Sequence, residues 1–346
     1  MKKLIFTSLA ALFLALPAHA QNIKLTLECG SPDGATCTGG KHLAEVAAAG
    51  KVAAIQVSGG KVLTRSVRQV AEGKTDMAGS PLILPFLLSK GLGPYSGVGK
   101  KKGAELAKNI RILYGYHVAS FYLIAFKSKG INSWDDLKGK TIFNGPPRGG
   151  ALTIGRAVIK FMTGMSEGKG YTGKQVSWGS AHSLFLDGGV DAAVRPGNDP
   201  PPFLPLFASA GAVNVISYPK AKWNNPAFQK FVNGPGNKPK VFPIKSVDWG
   251  KGVNVISEDN MMRTLVNTSG DAVNKNMPKA LAKKLTAAFI KSIPDLNRKA
   301  PWIKSALYGE TDDKKMGFCA VGMKFHPGAI EAFEEAGRKI PACAKP

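Results

Sequence analysis

The chain has 346 residues, is 44% hydrophobic, and carries 47 Lys and Arg against 23 Asp and Glu, a formal charge of +24. That length allows two domains with sizeable cores. The lysines are scattered through helix faces and turns, and Lys100–Lys102 is the densest run. With no arginine-rich arm and no basic stripe interleaved with aromatics, nucleic acid is not the expected partner. The surplus reads as a solvated basic surface that favours an anionic solute.

Met1–Ala20 has the form of a signal peptide: Lys2 and Lys3, an apolar run from Leu4 to Leu16, and a small-x-small site at Ala18-His19-Ala20. Cleavage after Ala20 starts the mature chain at Gln21 and leaves a charge of +22. The apolar run is too short for a membrane span, and no later stretch is long and apolar enough. No cysteine follows the cleavage site, so no lipid anchor is expected, and the periplasm is the expected location. Cys29, Cys37, Cys319 and Cys343 all lie in the mature chain, an even number suited to an oxidising compartment. Three pairings are possible, and nearness in sequence favours Cys29–Cys37 with Cys319–Cys343. No CxxC pair or histidine spacing supports zinc.

Gln21–Leu27 alternates as a strand, and Gly39-Gly40-Lys41-His42 opens a helix through Val46. Ala53–Val57 is a second strand, and Val62, Leu63, Val67 and Val70 stripe a second helix. Glu72–Ala78 turns into a third strand. Ser58 and Ser80 fall at strand ends that would face a cleft. Pro81–Gly99 reads as a short helix and a loose loop, Ala104–Lys108 as another helix. Ile110–Tyr114 and Ala119–Phe126 read as two strands with His117 between them.

The segment 133–161 is the most informative. Ser133 is placed to cap a short helix with Asp135 and Asp136 in its first turn, and Gly139 ends it. Thr141–Phe143 is a strand. Gly145-Pro146-Pro147-Arg148-Gly149-Gly150 cannot continue it, and Ile154, Val158 and Phe161 then recur at helical spacing. A glycine-rich loop between a strand's carboxyl end and a helix's amino end exposes free N–H groups that attract an anion, and Arg148 offers a bidentate carboxylate contact. The spacing is neither a dinucleotide fingerprint nor a P-loop.

Lys174–Trp178 reads as a strand and Ser180–Leu186 as a helix. Asp187-Gly188-Gly189-Val190-Asp191-Ala192 turns into a further strand. It ends in the rigid loop Arg195–Pro202, which opens a helix with Phe203, Leu206 and Phe207 on one face. Arg195 thus occupies a strand's carboxyl end, where open α/β sheets hold ligands. Val213–Ser217 is a strand, and 223–254 has no clear pattern. Val253–Val266 returns the chain to the first lobe, Pro278–Ile293 is a helix and Pro301–Leu307 another. His326 reads as an amino-terminal cap or a packing residue, not a catalyst, before a terminal helix with Ile330, Phe333 and Ala336.

These segments together resemble the TAXI family of TRAP-transporter solute receptors. The likeness is carried by Gly130-Ile131, Trp134–Lys140 with the Gly145–Gly150 loop, the Asp187–Ala192 turn, the Gly73, Asp76 and Ala78 positions, and Phe325-His326-Pro327-Gly328-Ala329. It extends over nearly the whole mature chain. It implies an α/β fold of the type II periplasmic-binding-protein kind, two α/β lobes around a central ligand cleft with hinge segments. Residues 21–120 and 256–346 would form the first lobe and 121–255 the second, with a hinge near Ala119–Lys127.

The resemblance also implies that Gly30, Ser31 and Gly39, on the loop after the first strand, are candidates to touch the ligand. The expected ligand set is Gly30, Ser31, Ser58, Ser80, Arg148, Gly149, Gly150 and Arg195. The expected solute is a small organic acid, of the acidic amino acid or 2-oxo/dicarboxylate class. The expected partners are TRAP-type membrane permease subunits, and the expected state is a monomer without cofactor or metal. A solute sensor for a signalling receptor is the alternative within this class. A secreted enzyme on the same fold is less favoured: the chain has five histidines, one in the leader, and no His/Cys/Asp constellation at useful spacing.

Overall fold

The protein is described here from a computed structural model covering residues 23–346. The leader and its cleavage site lie outside the described residues. Twelve strands form the sheet: β1 (Lys24–Glu28), β2 (Ala54–Ser58), β3 (Met77–Pro81), β4 (Ile110–Phe126), β5 (Thr141–Phe143), β6 (Ser166–Glu167), β7 (Gly170–Lys174), β8 (Ala192–Gly197), β9 (Val213–Ile216), β10 (Asn237–Pro243), β11 (Val253–Ile256) and β12 (Met261–Asn274). The main path runs β2-β1-β3-β12-β4-β8-β5-β7-β6, with β9, β10 and β11 branching from it. The β1–β2, β1–β3, β5–β7 and β5–β8 pairs are parallel, while β4 and β12 run antiparallel to their neighbours in the main path. Among the described residues, no helix is long and apolar enough to cross a membrane.

The buried side chains separate along the chain. One core takes Leu25 to Tyr116 and resumes from Ala272 to Ala344. Two further clusters are drawn from Phe121 to Leu265. Only β4 and β12 contribute to both sides. Tyr116 and Phe121 fall on opposite sides of the division along β4, as do Leu265 and Ala272 along β12. The two strands are hydrogen-bonded to each other through this passage, with register shifts at Asn267/Thr268 and Gly270/Ala272.

Local packing explains where the elements differ from the sequence reading. The first helix spans Ala35–Ala49 and starts before Gly39, so its two glycines are interior. A Cβ on Gly39 would lie 2.8 Å from the Tyr308 ring, and one on Gly40 would lie 2.7 Å from Leu27, so these glycines let the helix press onto its neighbours. The two strands expected around His117 are one, β4. Gly115 does not interrupt it but admits the Phe318 ring, 2.6 Å from a would-be Cβ.

Other differences are smaller. The strand expected at Lys174–Trp178 lies earlier, as β7. Ser133 does not cap: Asp136 instead accepts from the backbone N–H of Asn132 and Ser133 at 2.9 and 2.8 Å. Leu206 is exposed, and Phe203, Leu204 and Phe207 form the buried face of the helix Leu204–Ala210. His326 does cap the helix Pro327–Glu335, its Nδ1 accepting from Gly328 N–H at 3.2 Å.

The segment without a readable pattern holds β10, and β11 straddles its end. The stretch from Val253 does not return at once to the first core, because Val253, Val255, Met262 and Leu265 pack on the second side. β10 and β11 pair with β12 and β9, partners that local sequence cannot supply. Deep in the first core, Asp271 accepts from the Tyr114 and Tyr116 hydroxyls at 2.5 and 2.8 Å, and burial raises its pKa to about 6.

Candidate functional site

Loops from both sides of the division converge on one cleft, which encloses about 960 Å³ with its open mouth included. Segments 30–36 after β1 and 61–64 after β2 form one wall. Segments 146–151 after β5 and 195–203 at the end of β8 form the other. All four lie at carboxyl ends of parallel strands, the position at which open α/β sheets gather ligands. Val118, Ala119 and Phe121 of β4 and Asn267 of β12 form the floor between them.

Arg195 dominates the site. Its side chain lines the cleft, yet the residue is only 2% exposed. Among the described residues no acceptor bonds its Nε or Nη1. The guanidinium lies 3.8 Å from the Phe203 ring centroid, 5.7 Å from that of Trp178 and 6.0 Å from that of Phe143. Burial pushes its pKa down to about 10, so it remains a cation at neutral pH. Aromatic faces offset part of the cost of a desolvated charge, about 2 kcal/mol. They accept none of its N–H bonds, and an unpaired buried charge is costly unless a partner arrives.

Arg148 is different. It lines the same cleft from the Gly145–Gly150 loop but is exposed. Gly149 and Gly150, at the start of the helix Gly150–Thr163, also line the cleft, and that helix presents its amino end there. A polar brace holds the loop's entry. Asn144, fully buried, donates to Glu167 Oε2 at 2.8 Å and accepts from Gln175 Nε2 at 2.8 Å. Glu167 is also held bidentately by Arg156 through two 2.8 Å bonds.

Segment 195–202 is braced from below by Asp199. Its carboxylate accepts from Tyr122, from Lys240 and, at 3.4 Å, from Ser120. Burial raises its pKa against the pull of Lys240. Its N–H donates to Ser305 Oγ at 3.3 Å, reaching the first core.

The opposite wall carries Ser31 and Asp33. The disulfide Cys29–Cys37 closes this loop, and Cys319 pairs with Cys343. Ser31 Oγ donates to Asp33 Oδ1, and His182 Nε2, from the other side, lies 3.4 Å from Asp33 Oδ2. Burial opposes ionisation of Asp33. The His182 and Ser31 contacts and the Arg195 charge outweigh it, holding the carboxyl well below the usual range. Asp33 lines the cleft and His182, on the helix Ala181–Leu186, does not; their contact joins the two sides.

Of the residues expected from sequence, Gly30, Ser31, Arg148, Gly149, Gly150 and Arg195 are brought together in this cleft. Ser58 and Ser80 are not among its lining. Ser58 ends β2, short of the lining residues 61–64. Ser80 is fully buried, while Pro81, its neighbour on β3, reaches the cleft because alternate strand residues point to opposite faces.

Sequence reasoning missed Asp33, Trp178 and His182. Asp33 sits in a Ser-Pro-Asp-Gly run that signals only a turn. Trp178 lay in a stretch read as strand, and His182 carries no local signal. The single cluster of potential metal ligands among the described residues, Asp313 with Cys319 and Cys343, has both sulfurs committed to a disulfide.

A mixed α/β sheet with a cleft at the strand ends, crossed by two paired strands, defines the periplasmic-binding-protein fold. The chain belongs to the NMT1-like family, whose pattern it matches over residues 40–337. No curated protein sequence matches significantly. Among solved structures, a periplasmic transporter is 13% identical with a TM-score of 0.50, covering 83% of this chain and 88% of that one. A TRAP periplasmic solute-binding protein from a Sulfitobacter species, with bound β-D-galacturonate, is 12% identical with a TM-score of 0.45, covering 90% and 94%. Another from Ralstonia eutropha, with bound (S)-2-acetolactate, is 16% identical with a TM-score of 0.44, covering 90% of each chain.

Proposed function

We propose that this protein is an extracytoplasmic solute receptor of the TAXI kind that captures a small organic acid in the periplasm and delivers it to TRAP-type permease subunits. One observation carries the ligand class: Arg195, a lining residue of the cleft, is a buried cation whose Nε and Nη1 have no hydrogen-bond partner among the described residues. A carboxylate there gains charge-assisted hydrogen bonds in a dry site and removes the penalty of the lone charge. Arg148 and the amides of Gly149 and Gly150 complete the anion's surroundings. The two lobes meet later in the chain than the boundary at 255/256 expected from sequence: one takes residues up to Tyr116 and from Ala272 onward, the other Phe121–Leu265, and they move about β4 and β12 by hinge closure.

The test is a thermal-shift series on the mature protein with 2-oxo acids, dicarboxylates and acidic amino acids. A ligand that binds only the folded state raises the midpoint by mass action. A shift for an acid that is lost in Arg195→Ala supports both function and site. A shift surviving Arg195→Ala and Arg148→Ala keeps the function and discards the site. No shift with any acid, and no acid released from denatured protein by mass spectrometry, discards the function.

A further inference from the structure

We infer that the solute is a monocarboxylate with a bulky apolar body, such as an aryl- or branched-alkyl 2-oxo acid, and not a dicarboxylate or an acidic amino acid. This rests on the organic-acid reading of the cleft and narrows it.

Two features of the site lead there, and a third sets what the test must separate. The first is charge. The cleft lining holds one carboxylate, Asp33, along with the buried cation Arg195, and the Arg195 charge helps to hold that carboxyl ionised. One incoming carboxylate satisfies Arg195. A second one held deep in the cleft would meet Asp33, which stays ionised, and like charges in a dry site repel strongly. The remaining cations of the lining, Lys61 and Arg148, are both exposed at the mouth and well solvated.

The second feature is the wall chemistry. Beside Arg195 the cleft lining includes Leu63, Ile83, Phe121, Ile154, Trp178 and Phe203. Polar ligand atoms beside these side chains would lose water without gaining partners. An aryl or branched-alkyl group gains by burial, about 25 cal/mol per Å². Trp178 is half-buried, so part of its surface is available to a ligand ring, and it stands 5.7 Å from the guanidinium.

The third is the state of Asp33. It already receives the Ser31 hydroxyl and meets His182 of the other side. Its Oδ2 nevertheless accepts no hydrogen bond among the described residues, so the titration must separate the 2-oxo acid from the matching amino acid.

Calorimetric titration of the ligand-stripped mature protein decides the matter. The probes are phenylpyruvate, 4-methyl-2-oxopentanoate, 2-oxoglutarate, glutarate, L-glutamate and L-phenylalanine, each with wild type, Arg195→Met and Trp178→Ala. The expected result is that phenylpyruvate or 4-methyl-2-oxopentanoate binds at least tenfold tighter than 2-oxoglutarate, glutarate and L-glutamate. Trp178→Ala, which leaves the charges in place, should then weaken the apolar acid about tenfold and 2-oxoglutarate hardly at all. Dicarboxylates binding as tightly as the apolar acids, with dependence on Arg195, would overturn the apolar-body inference and keep the organic-acid receptor. L-phenylalanine binding tighter than phenylpyruvate would overturn it in favour of a zwitterion held between Arg195 and Asp33. Absence of binding by every acid would instead remove the reading beneath it.

Discussion

The loops after β5 and β8 invite comparison. Each leaves the carboxyl end of a parallel strand, carries prolines and feeds a helix, and each has one arginine, within the loop after β5 and near the end of strand β8 itself. The first holds its arginine, Arg148, out in solvent. The second folds its arginine, Arg195, under Phe203 and beside Trp178 and Phe143. Topology therefore decides which residues face a ligand, and burial decides what each interaction is worth. A solvated arginine trades one set of hydrogen bonds for another and gains little. A desolvated and unpaired one has much to gain from a carboxylate.

Four substitutions test this contrast. Arg195→Met should reduce affinity for the acid roughly 30-fold or more, in line with about 2–5 kcal/mol for a buried charge pair. The same substitution should leave the ligand-free melting temperature unchanged or raised, because the desolvation it relieves and the two unbonded nitrogens it removes outweigh the lost attraction to Asp33. A variant that melts lower and still binds would reverse the argument.

His117 carries the burial rule away from the loops. Burial lowers its pKa to about 4 from an ordinary 6.5, with Lys240 adding to the effect, while its Nε2 lies 3.2 Å from the Lys315 carbonyl oxygen. A histidine held neutral in the fold contributes stability that is fully present above pH 6.5 and is lost as pH falls towards 4. The stability difference between wild type and His117→Gln should therefore change by at most about 3 kcal/mol between pH 7 and 4. Urea titrations across that range measure it, and a flat difference would show that burial does not control this group.

Glu167→Ala sharpens the comparison from the β5 side. It strips the buried Asn144 amide of its acceptor, which should cost about 1–3 kcal/mol of stability by chemical denaturation. The half-exposed Arg156 pair adds little to that. No loss would mean that the loop's entry needs no brace. Arg148→Ala should have the smallest effect, about fivefold or less in affinity, as expected of about 1 kcal/mol at an exposed charge. A loss larger than that of Arg195→Met would exchange the roles of the two loops.

Much of the scaffold was legible because its signals are local. β1, β2, β5 and β9 follow apolar runs ended by glycine, proline or serine, and the helices Leu63–Ala71 and Gly150–Thr163 follow their stripes. The His326 cap was legible from a single histidine before Pro-Gly. β4 was split because Gly115 and His117 look like an interruption, whereas Gly115 answers to Phe318, far along the chain. β10 was invisible because its pairing with β12 supplies what its proline-bearing sequence lacks.

In the site, the strand-end position of Arg195 was readable and its burial was not. The three rings around it belong to separate segments, and only folding brings them together. The Asp33–His182 contact joins the two sides and leaves no trace in either local sequence.

The division of the cores has a consequence for the order in which the chain can fold. The side around Phe121–Leu265 is built from one continuous stretch and is complete once that stretch has been synthesised. The other side needs residues from Leu25 onward together with Ala272–Ala344, so it must wait for the last part of the chain. Until then β3 lacks β12, its antiparallel partner, and shows an open edge. The amino-terminal half is thus the later of the two to finish, although it is made first, and during that interval it is the part a chaperone would have to shield.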